Sequence, residues 1–201
     1  MIFDVAAGTC ACGRAIAPYA KSVVCLDMMS VMLSIGKAEA QKVKLDNMVF
    51  LLGDAAELPF LESSFDLVLS RLAFHHFSDI KQPFAEMVRV LKPGSRLVLI
   101  DMEALRETRD QIERMRDPSH VRNLSRAEML SLYRESGLTV SCCETVRIPM
   151  ILQSWLEHTK TPSDIQTHIV SQMKSELSGN KKTGFMPYDN GNKSCLIKNG
   201  C

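Results

Sequence analysis

The chain opens with Ile2-Phe3-Asp4-Val5-Ala6-Ala7-Gly8-Thr9, a short apolar run that ends in a turn of small residues. Two similar runs follow, residues 23–26 ending in Asp27, and residues 49–52 ending in Gly53-Asp54. Each run has the length and apolar content of a strand that is buried on both faces of a parallel sheet. Because the carboxyl ends of parallel strands share one ligand-binding crevice, the three carboxylates are predicted to lie together at a ligand site.

The composition is typical of one globular domain with a substantial core. The chain has 201 residues, of which 46% are hydrophobic, and its formal net charge is +1. This charge gives no bulk attraction for nucleic acid, and no apolar stretch approaches the ~20 residues of a membrane span. The start of the chain also lacks the pattern of a secretory signal. The sequence therefore predicts a cytoplasmic protein that binds neither nucleic acid nor membrane.

Seven cysteines raise the question of a disulfide framework or a metal site. Their number is odd, and Cys10-x-Cys12 and Cys142-Cys143 have no second pair at zinc spacing. His75 and His76 are adjacent, so they do not share one face of a helix. The cysteines are therefore predicted to be reduced thiols, and no residue is assigned as a metal ligand.

Strand-like and helix-like segments alternate along the first hundred residues, which predicts right-handed crossovers and a parallel sheet. Strands are predicted over residues 1–5, 23–26, 49–52, 66–69 and 96–100. Ser30 is the predicted N-cap of a helix that runs towards Lys42. Another is indicated by Phe84 and by Met87, Val88 and Leu91 at helical spacing, before the helix-breaking Lys92-Pro93-Gly94.

The second half is predicted to be mainly helical. Residues 103–116 are charge-rich and indicate an exposed helix, and Ser125 to Glu128 form a capping box for a helix that ends near Gly137. Thr161-Pro162 is typical of the start of a third helix, which runs to about Leu177. A sixth strand is predicted over residues 139–146, and a short strand over residues 195–197.

The first turn is suited to a nucleoside that carries no phosphates. Ala6, Ala7 and Gly8 let the backbone approach a ligand closely, and Gly8 can adopt a positive φ. A dinucleotide site needs Gly-x-Gly-x-x-Gly, which is absent. A P-loop needs Lys-Ser or Lys-Thr after its second glycine, where this chain has Arg14-Ala15. S-adenosylmethionine fits this pattern best.

Two carboxylates could recognise the adenosine part of such a ligand. Asp27 can accept hydrogen bonds from two ribose hydroxyls, a bidentate role that suits a carboxylate. Asp54, after the third strand, can accept from an exocyclic amine such as that of adenine. Asp4 has an alternative, structural role, because its carboxylate can hold the turn through backbone N–H groups.

Six segments occur in a characteristic order over the first hundred residues: Asp4-Val-Ala-Ala-Gly-Thr, Leu26-Asp27-Met-Met-Ser-Val-Met-Leu, Gly53-Asp54-Ala-Ala-Glu-Leu-Pro-Phe, Ser64-Phe-Asp-Leu-Val, Ala73-Phe-His-His-Phe and Val90-Leu-Lys-Pro-Gly. Together they resemble the class I S-adenosylmethionine-dependent methyltransferases (the methyltransferase type 11 domain). The similarity is to the small-molecule branch that includes the ubiquinone and menaquinone biosynthesis methyltransferases.

The resemblance implies an α/β fold with a Rossmann-like, doubly wound, mostly parallel sheet. This sheet would have seven strands flanked by helices, and a helical insertion on the substrate side would follow the fifth strand. Residues 1–102 would form the core that binds S-adenosylmethionine. Residues 103–201 would supply the insertion and the remaining strands of the same domain.

The resemblance also implies a role for each residue of the cofactor site. The turn from Asp4 through Ala6 and Ala7 to Gly8 would hold the methionine moiety, with the backbone of Ala6 near its amino group. The resemblance further implies that Asp27 binds the ribose and that Met28 packs on the adenine. Asp54 would meet the adenine amine, and the backbone of Ala55 would meet a ring nitrogen.

Methyl transfer from a sulfonium is an in-line displacement that needs alignment and exclusion of water more than a nucleophilic side chain. The resemblance implies that Arg71 and Leu72 lie beside the methyl donor, with His76 just behind. A general base helps only where the acceptor loses a proton, and His75, His76 and His120 are the catalytic candidates for that role.

The segment Arg116-Asp-Pro-Ser-His-Val-Arg122 resembles an uncharacterised subgroup of the same branch. Loops over strand ends usually carry specificity, so Arg116 and Arg122 are predicted to contact the substrate. The alternative for this segment is an exposed cluster at a helix end. The expected partner is a small-molecule methyl acceptor.

Two departures from the family pattern leave a second function open. The family usually has glycine at the positions of Ala6 and Cys10, and a lid helix precedes its first strand, whereas Met1 here stands almost on that strand. A protein that binds the cofactor without turnover is the alternative, and a homodimer would follow if a partner subunit supplied the lid. A nicotinamide-linked oxidoreductase or a nucleic-acid methyltransferase is less consistent with these motifs.

Overall fold

The computed structural model describes residues 1–189 and 194–200 and divides them into two compact units. The first unit comprises Met1–Ile100 and Leu132–Leu138. The second comprises Asp101–Ser131 and the described part of Thr139–Cys201. The single domain with an internal boundary at residue 102 stays a prediction.

The first unit is built on a sheet of five parallel strands in the order β3-β2-β1-β4-β5. The strands are β1 (Ile2–Val5), β2 (Val23–Asp27), β3 (Met48–Leu52), β4 (Phe65–Arg71) and β5 (Leu91–Ile100). The chain first adds strands on one side of β1 and then crosses to the other side. This reversal makes the carboxyl end of β1 the topological switch point, where doubly wound sheets bind ligands.

Apolar burial explains why β1 lies at the centre of this sheet. Phe3 and Val5 are fully buried, and the Phe3 ring stacks on Phe65 of β4 with centroids 4.6 Å apart. The register places Asp4 opposite Cys25 of β2 and Leu69 of β4. Asp4 therefore lies between two neighbouring strands, in a position that excludes water.

Three helices belong to the crossovers of the first unit: α1 (Ala11–Ile16), α2 (Ser30–Lys42) and α3 (Lys81–Val90). The predicted helix is confirmed as α2, but its N-cap is Met29, and Ser30 is its first helical residue. On α3, the apolar spacing correctly predicts the buried side chains of Phe84 and Met87. The helix ends before Leu91, which instead begins β5. Strand pairing of Leu91 with Phe65 overrides the helical spacing at this residue.

The second unit contains four helices in its described part, one of which, α5, continues into the first unit. They are α4 (Glu107–Arg116), α5 (Arg126–Glu135), α6 (Leu152–His158) and α7 (Ser163–Leu177). The predicted capping box at the start of α5 is confirmed, because the Ser125 N–H donates to Glu128 Oε2 at 2.8 Å and the Glu128 N–H donates to Ser125 Oγ at 3.2 Å. No described helix combines the length and apolar character that a membrane crossing requires.

A separate antiparallel sheet lies in the second unit, in the order β6-β8-β7. Its strands are β6 (Val146–Ile151), β7 (Tyr188–Asp189) and β8 (Ser194–Gly200). The prediction of a strand over residues 139–146 is wrong apart from Val146. The following residues pair with β8, and Pro149 is tolerated there because β6 is an edge strand.

The predicted single sheet of seven strands is not found among the described residues. β6 and β8 satisfy each other's backbone groups by antiparallel pairing, so neither extends the parallel sheet at β5. The short strand predicted over residues 195–197 is confirmed as part of β8.

Substituting Gly13 tests how closely α1 packs on the sheet. A Cβ at residue 13 would overlap the Cys25 sulfur and lie 3.2 Å from Asp4 Oδ2. Gly13→Ala is therefore expected to lower the free energy of unfolding by about 2–4 kcal/mol, measured by urea denaturation. On an unobstructed helix the same change would stabilise the protein by about 1 kcal/mol.

The exposed Ala15 on the same helix provides the matched control. Ala15→Ser is expected to change the free energy of unfolding by less than about 0.5 kcal/mol. A stabilised Gly13→Ala protein would contradict the close contact between α1 and β2.

Candidate functional site

The turn between β1 and α1 holds three residues in the left-handed region. The φ angle is 52° at Ala6, 54° at Gly8 and 57° at Cys10. This conformation is unstrained only for glycine, so Ala6 and Cys10 store backbone strain, a feature that clusters at ligand sites. The Ala7 N–H donates to the Leu26 carbonyl at 2.9 Å and ties the turn to β2.

The Asp4 carboxylate is buried at the end of β1, beneath this turn. Its Oδ2 accepts the Gly13 N–H at 2.8 Å, which fixes the start of α1 and confirms that Asp4 holds the turn through a backbone group. The pKa of Asp4 is raised to about 7, mainly by burial and to a smaller extent by Asp27, against the lowering effects of the Gly13 hydrogen bond and Arg71. Asp4 can therefore exchange a proton near neutral pH.

The Asp27 carboxylate joins the turn to the start of α2. Its Oδ2 accepts the Gly8 N–H at 2.7 Å, and its Oδ1 accepts the Met29 N–H at 2.9 Å. Both oxygens are therefore oriented before any ligand arrives, and each keeps capacity for a further donor. Met28, the next residue in the chain, is 73% exposed, so a large apolar surface lies beside the Asp27 carboxylate.

Asp54 follows β3, the neighbour of β2. The Gly53 N–H donates to the Asp27 carbonyl at 3.1 Å, which brings the two strand ends together. Asp54 is exposed, and its Oδ1 accepts the Ala56 N–H at 2.8 Å, while Ala55 between them is buried. The structure therefore places Asp54 and Ala55 beside Asp27 on one edge of the sheet.

Arg71 and Leu72 leave β4 on the other side of β1. The Arg71 guanidinium is close enough to Asp4 and to the Cys12 thiol on α1 to lower the pKa of both groups. Leu72 has a φ of 55°, and its N–H donates to the Ile100 carbonyl at 2.8 Å. Cys12 was not predicted for this site. Its position on the helix turn after the small-residue loop was the only signal in the sequence that could have indicated it.

His75 and His76 lie in a single 3₁₀ turn, Phe74–His76, directly after β4. Both side chains are half-buried, and their ring centroids are 4.1 Å apart. The turn is held by the His76 N–H, which donates to the Ala73 carbonyl at 2.9 Å. Both histidines therefore follow the strand that carries Arg71.

Three predicted residues lie in the second unit, where each already has protein partners. His120 is 5% exposed, and its Nε2 lies 2.9 Å from Asp110 Oδ1. Arg116 donates to Glu113 at 3.2 Å and stacks over the Trp155 ring at 4.5 Å. Arg122 pairs with Glu128 at 2.8 Å on the surface. These contacts favour structural roles for His120 and Arg116.

The site thus collects twelve of the predicted residues in the first unit, at or after the carboxyl ends of its strands. These are Asp4, Ala6, Ala7, Gly8, Asp27, Met28, Asp54, Ala55, Arg71, Leu72, His75 and His76. Within residues 1–189 and 194–200, no three His, Cys, Asp or Glu side chains are grouped so as to hold a metal ion.

Comparison with known proteins places this geometry in a family. The family model described as a methyltransferase domain matches residues 3–99. An uncharacterized methyltransferase of Bacillus subtilis, YcgJ, is 32% identical over 177 residues, which are 86% of this chain and 70% of that protein. The chain belongs to this methyltransferase family. A demethylmenaquinone methyltransferase of Renibacterium salmoninarum is 37% identical over 100 residues, half of this chain and 40% of that protein.

Solved structures of methyltransferase-family proteins share the fold. The YcgJ crystal structure matches with a TM-score of 0.83 at 27% identity, and the match covers 99% of this chain and 90% of the YcgJ chain. A proposed methyltransferase of Bacillus halodurans has a TM-score of 0.87 at 25% identity, with 99% and 88% covered. A phosphoethanolamine methyltransferase of Haemonchus contortus in complex with S-adenosyl-L-methionine has a TM-score of 0.60 at 19% identity, with 99% and 47% covered, and shares the fold alone.

Asp4→Asn is expected to remove a pH dependence of folding stability. The ordinary pKa of Asp4 is 3.8, and its folded value is about 7. Between these values the folded state binds one more proton than the unfolded state, so this contribution is fully present below pH 4 and is lost as the pH rises to 7. Relative to Asp4→Asn, the free energy of unfolding of the wild-type chain should therefore fall by roughly 4 kcal/mol between pH 4 and pH 7.

The measurement is urea denaturation of both proteins at several pH values between 4 and 8. The difference between the two stability curves isolates Asp4 from the other carboxylates. Parallel curves would show that Asp4 titrates as an ordinary exposed carboxylate.

Proposed function

We propose that this methyltransferase-family chain transfers a methyl group from S-adenosylmethionine to a small hydrophobic molecule by in-line displacement. One observation carries the proposal. Asp4, Asp27 and Asp54 lie at or just after the carboxyl ends of three neighbouring parallel strands, β1, β2 and β3, beside a turn with a strained, left-handed backbone. A nucleoside with an attached amino acid has polar groups spaced along its length, and this row of carboxylates offers an acceptor to each part.

The adenosine half would bind at Asp27 and Asp54. Asp27 is held by two backbone N–H groups, so its remaining lone pairs can accept from the two ribose hydroxyls without reorganisation. Met28 offers an exposed thioether that can pack on the adenine ring. Asp54 would accept from the adenine amine, and the Ala55 backbone would contact a ring nitrogen.

The methionine half would bind at the turn of Asp4, Ala6, Ala7 and Gly8. Asp4 is the buried anion of this region, and Arg71 is the nearby cation. In its ionised form Asp4 would complement the ammonium of an amino acid and Arg71 would complement its carboxylate, and the Ala6 backbone would lie near the ammonium. Leu72 would face the methyl donor.

The bound cofactor would supply a methyl carbon already activated by its sulfonium. The residues of this chain therefore need to bind, align and exclude water, and no side chain has to act as a nucleophile. His75 or His76 would accept a proton where the acceptor must lose one. His120 remains a prediction for the same role, although its ring is engaged by Asp110.

A hydrophobic acceptor is supported by the relatives named demethylmenaquinone methyltransferase, since menaquinones are apolar. The same acceptor would be contacted by Arg122 and, if its contacts to Glu113 and Trp155 open, by Arg116. A homodimer also stays a prediction.

Calorimetric titration with S-adenosylmethionine and S-adenosylhomocysteine tests the cofactor. Asp27→Ala should weaken both affinities by at least about 100-fold, because two charge-assisted hydrogen bonds to the ribose are lost. Asp27→Asn should weaken them less, since its amide keeps one acceptor oxygen. Asp46 is an exposed carboxylate that precedes the amino end of β3, far from the site at the carboxyl end. Asp46→Ala should therefore leave both affinities unchanged.

NADH serves as the negative ligand, and circular dichroism confirms that each variant is folded. A wild-type chain that binds neither sulfur nucleoside would contradict the proposed function. Binding without formation of S-adenosylhomocysteine from any apolar acceptor would instead favour a cofactor-binding protein without turnover.

A further inference from the structure

Cys10 occupies an unusual position in the proposed cofactor turn. Its backbone is left-handed, it immediately precedes α1, and its side chain is fully buried. The thiol donates to the Gly8 carbonyl at 3.6 Å, and the Arg14 N–H donates to the Cys10 carbonyl at 2.9 Å. The side chain is therefore packed within the turn, and it points away from solvent.

Gly36 of α2 lies against the Cys10 thiol. A Cβ at residue 36 would stand 2.8 Å from Cys10 Sγ and 2.8 Å from the Thr9 carbonyl oxygen, both too close for real atoms. Glycine inside a helix is less favourable than alanine, so a buried glycine at this point of α2 calls for a packing reason. The space that a side chain would fill at residue 36 is filled by the thiol of residue 10.

Cys25 of β2 packs on the thiol from the sheet. Cys10 and Cys25 belong to one buried cluster with Leu33 of α2. The neighbouring Cys10 side chain and burial both raise the pKa of Cys25, so the Cys25 thiol stays protonated and uncharged. Neutral thiols of this kind behave as small apolar side chains.

We propose that Cys10 and Gly36 form a size-matched pair that sets the distance between the cofactor turn and α2, which makes Cys10 a positioning residue for the cofactor. The inference rests on the proposed function. The turn would hold the methionine half, and the residues that lead into α2, Asp27 and Met28, would hold the adenosine half. A change in the spacing of turn and helix would therefore move the two halves of the cofactor site apart.

The test is a double-variant cycle in the full chain, with S-adenosylhomocysteine affinity as the readout. Gly36→Ala is expected to weaken binding by about tenfold or more, because the added methyl group displaces the thiol and the Thr9 carbonyl. Cys10→Gly relieves the left-handed strain but removes the spacer, so a weakening of about threefold to tenfold is expected. The double variant should bind about threefold more tightly than Gly36→Ala alone, because the contact with the thiol is relieved while the contact with the Thr9 carbonyl remains.

Ala38→Gly is the matched control, because residue 38 is exposed on the same helix. It changes helix propensity without touching the turn, and its affinity should stay within about twofold of wild type. Titrations are made well below each variant's melting temperature, so a residue that acts only on stability would leave the affinity unchanged.

The outcomes separate this inference from the proposed function. If the wild-type chain binds S-adenosylhomocysteine and the two substitutions act additively, the size-matched pair is overturned while the cofactor assignment stands. If the wild-type chain does not bind, the proposed function fails and the positioning role fails with it. The melting temperatures of the four proteins then test the packing pair alone, for which non-additive shifts are expected and additive shifts would overturn it.

Discussion

Parallel pairing of β1 with β2 on one side and β4 on the other constrains the position of every residue in the candidate site. Each parallel neighbour requires a crossover, so the chain leaves every strand at the same edge of the sheet. The turn after β1, Asp27 and Arg71 consequently lie at the same edge of the sheet. The aromatic contact between Phe3 and Phe65 holds this arrangement from inside the core.

The site is preorganised by backbone groups. Asp4 and Asp27 are both buried, and burial of a carboxylate is costly unless donors compensate it. The compensation comes from the N–H groups of Gly13, Gly8 and Met29, which belong to the elements that the carboxylates must position. The same hydrogen bonds therefore stabilise the fold and fix the oxygens that a ligand would meet. Asp4 is compensated less completely, which is why its pKa lies near neutrality.

The second unit shows how residues with catalytic chemistry can serve packing. Asp110 accepts from the Asn123 backbone and side chain at 2.9 and 2.7 Å and also contacts His120. Arg116 lies between Glu113 and the face of Trp155. Buried polar groups of this kind must find partners, so a histidine or arginine in a loop is often bound within the protein. Arg116, His120 and Arg122 of the segment that resembles a family motif therefore each have a partner elsewhere in the protein.

The sequence by itself determined the parallel core, because short apolar strands, the crossover spacing and the capping box at Ser125 are local signals. It also determined that Asp27 and Asp54 lie at strand ends. Tertiary structure decided the rest: the pairing that separates β6 from the parallel sheet, the place of Cys12 beside Arg71, and the partners of His120. The contact between Cys10 and Gly36 is of the same kind. Such contacts join residues that are far apart in the chain, and the local sequence around one residue does not indicate which distant residue it will contact.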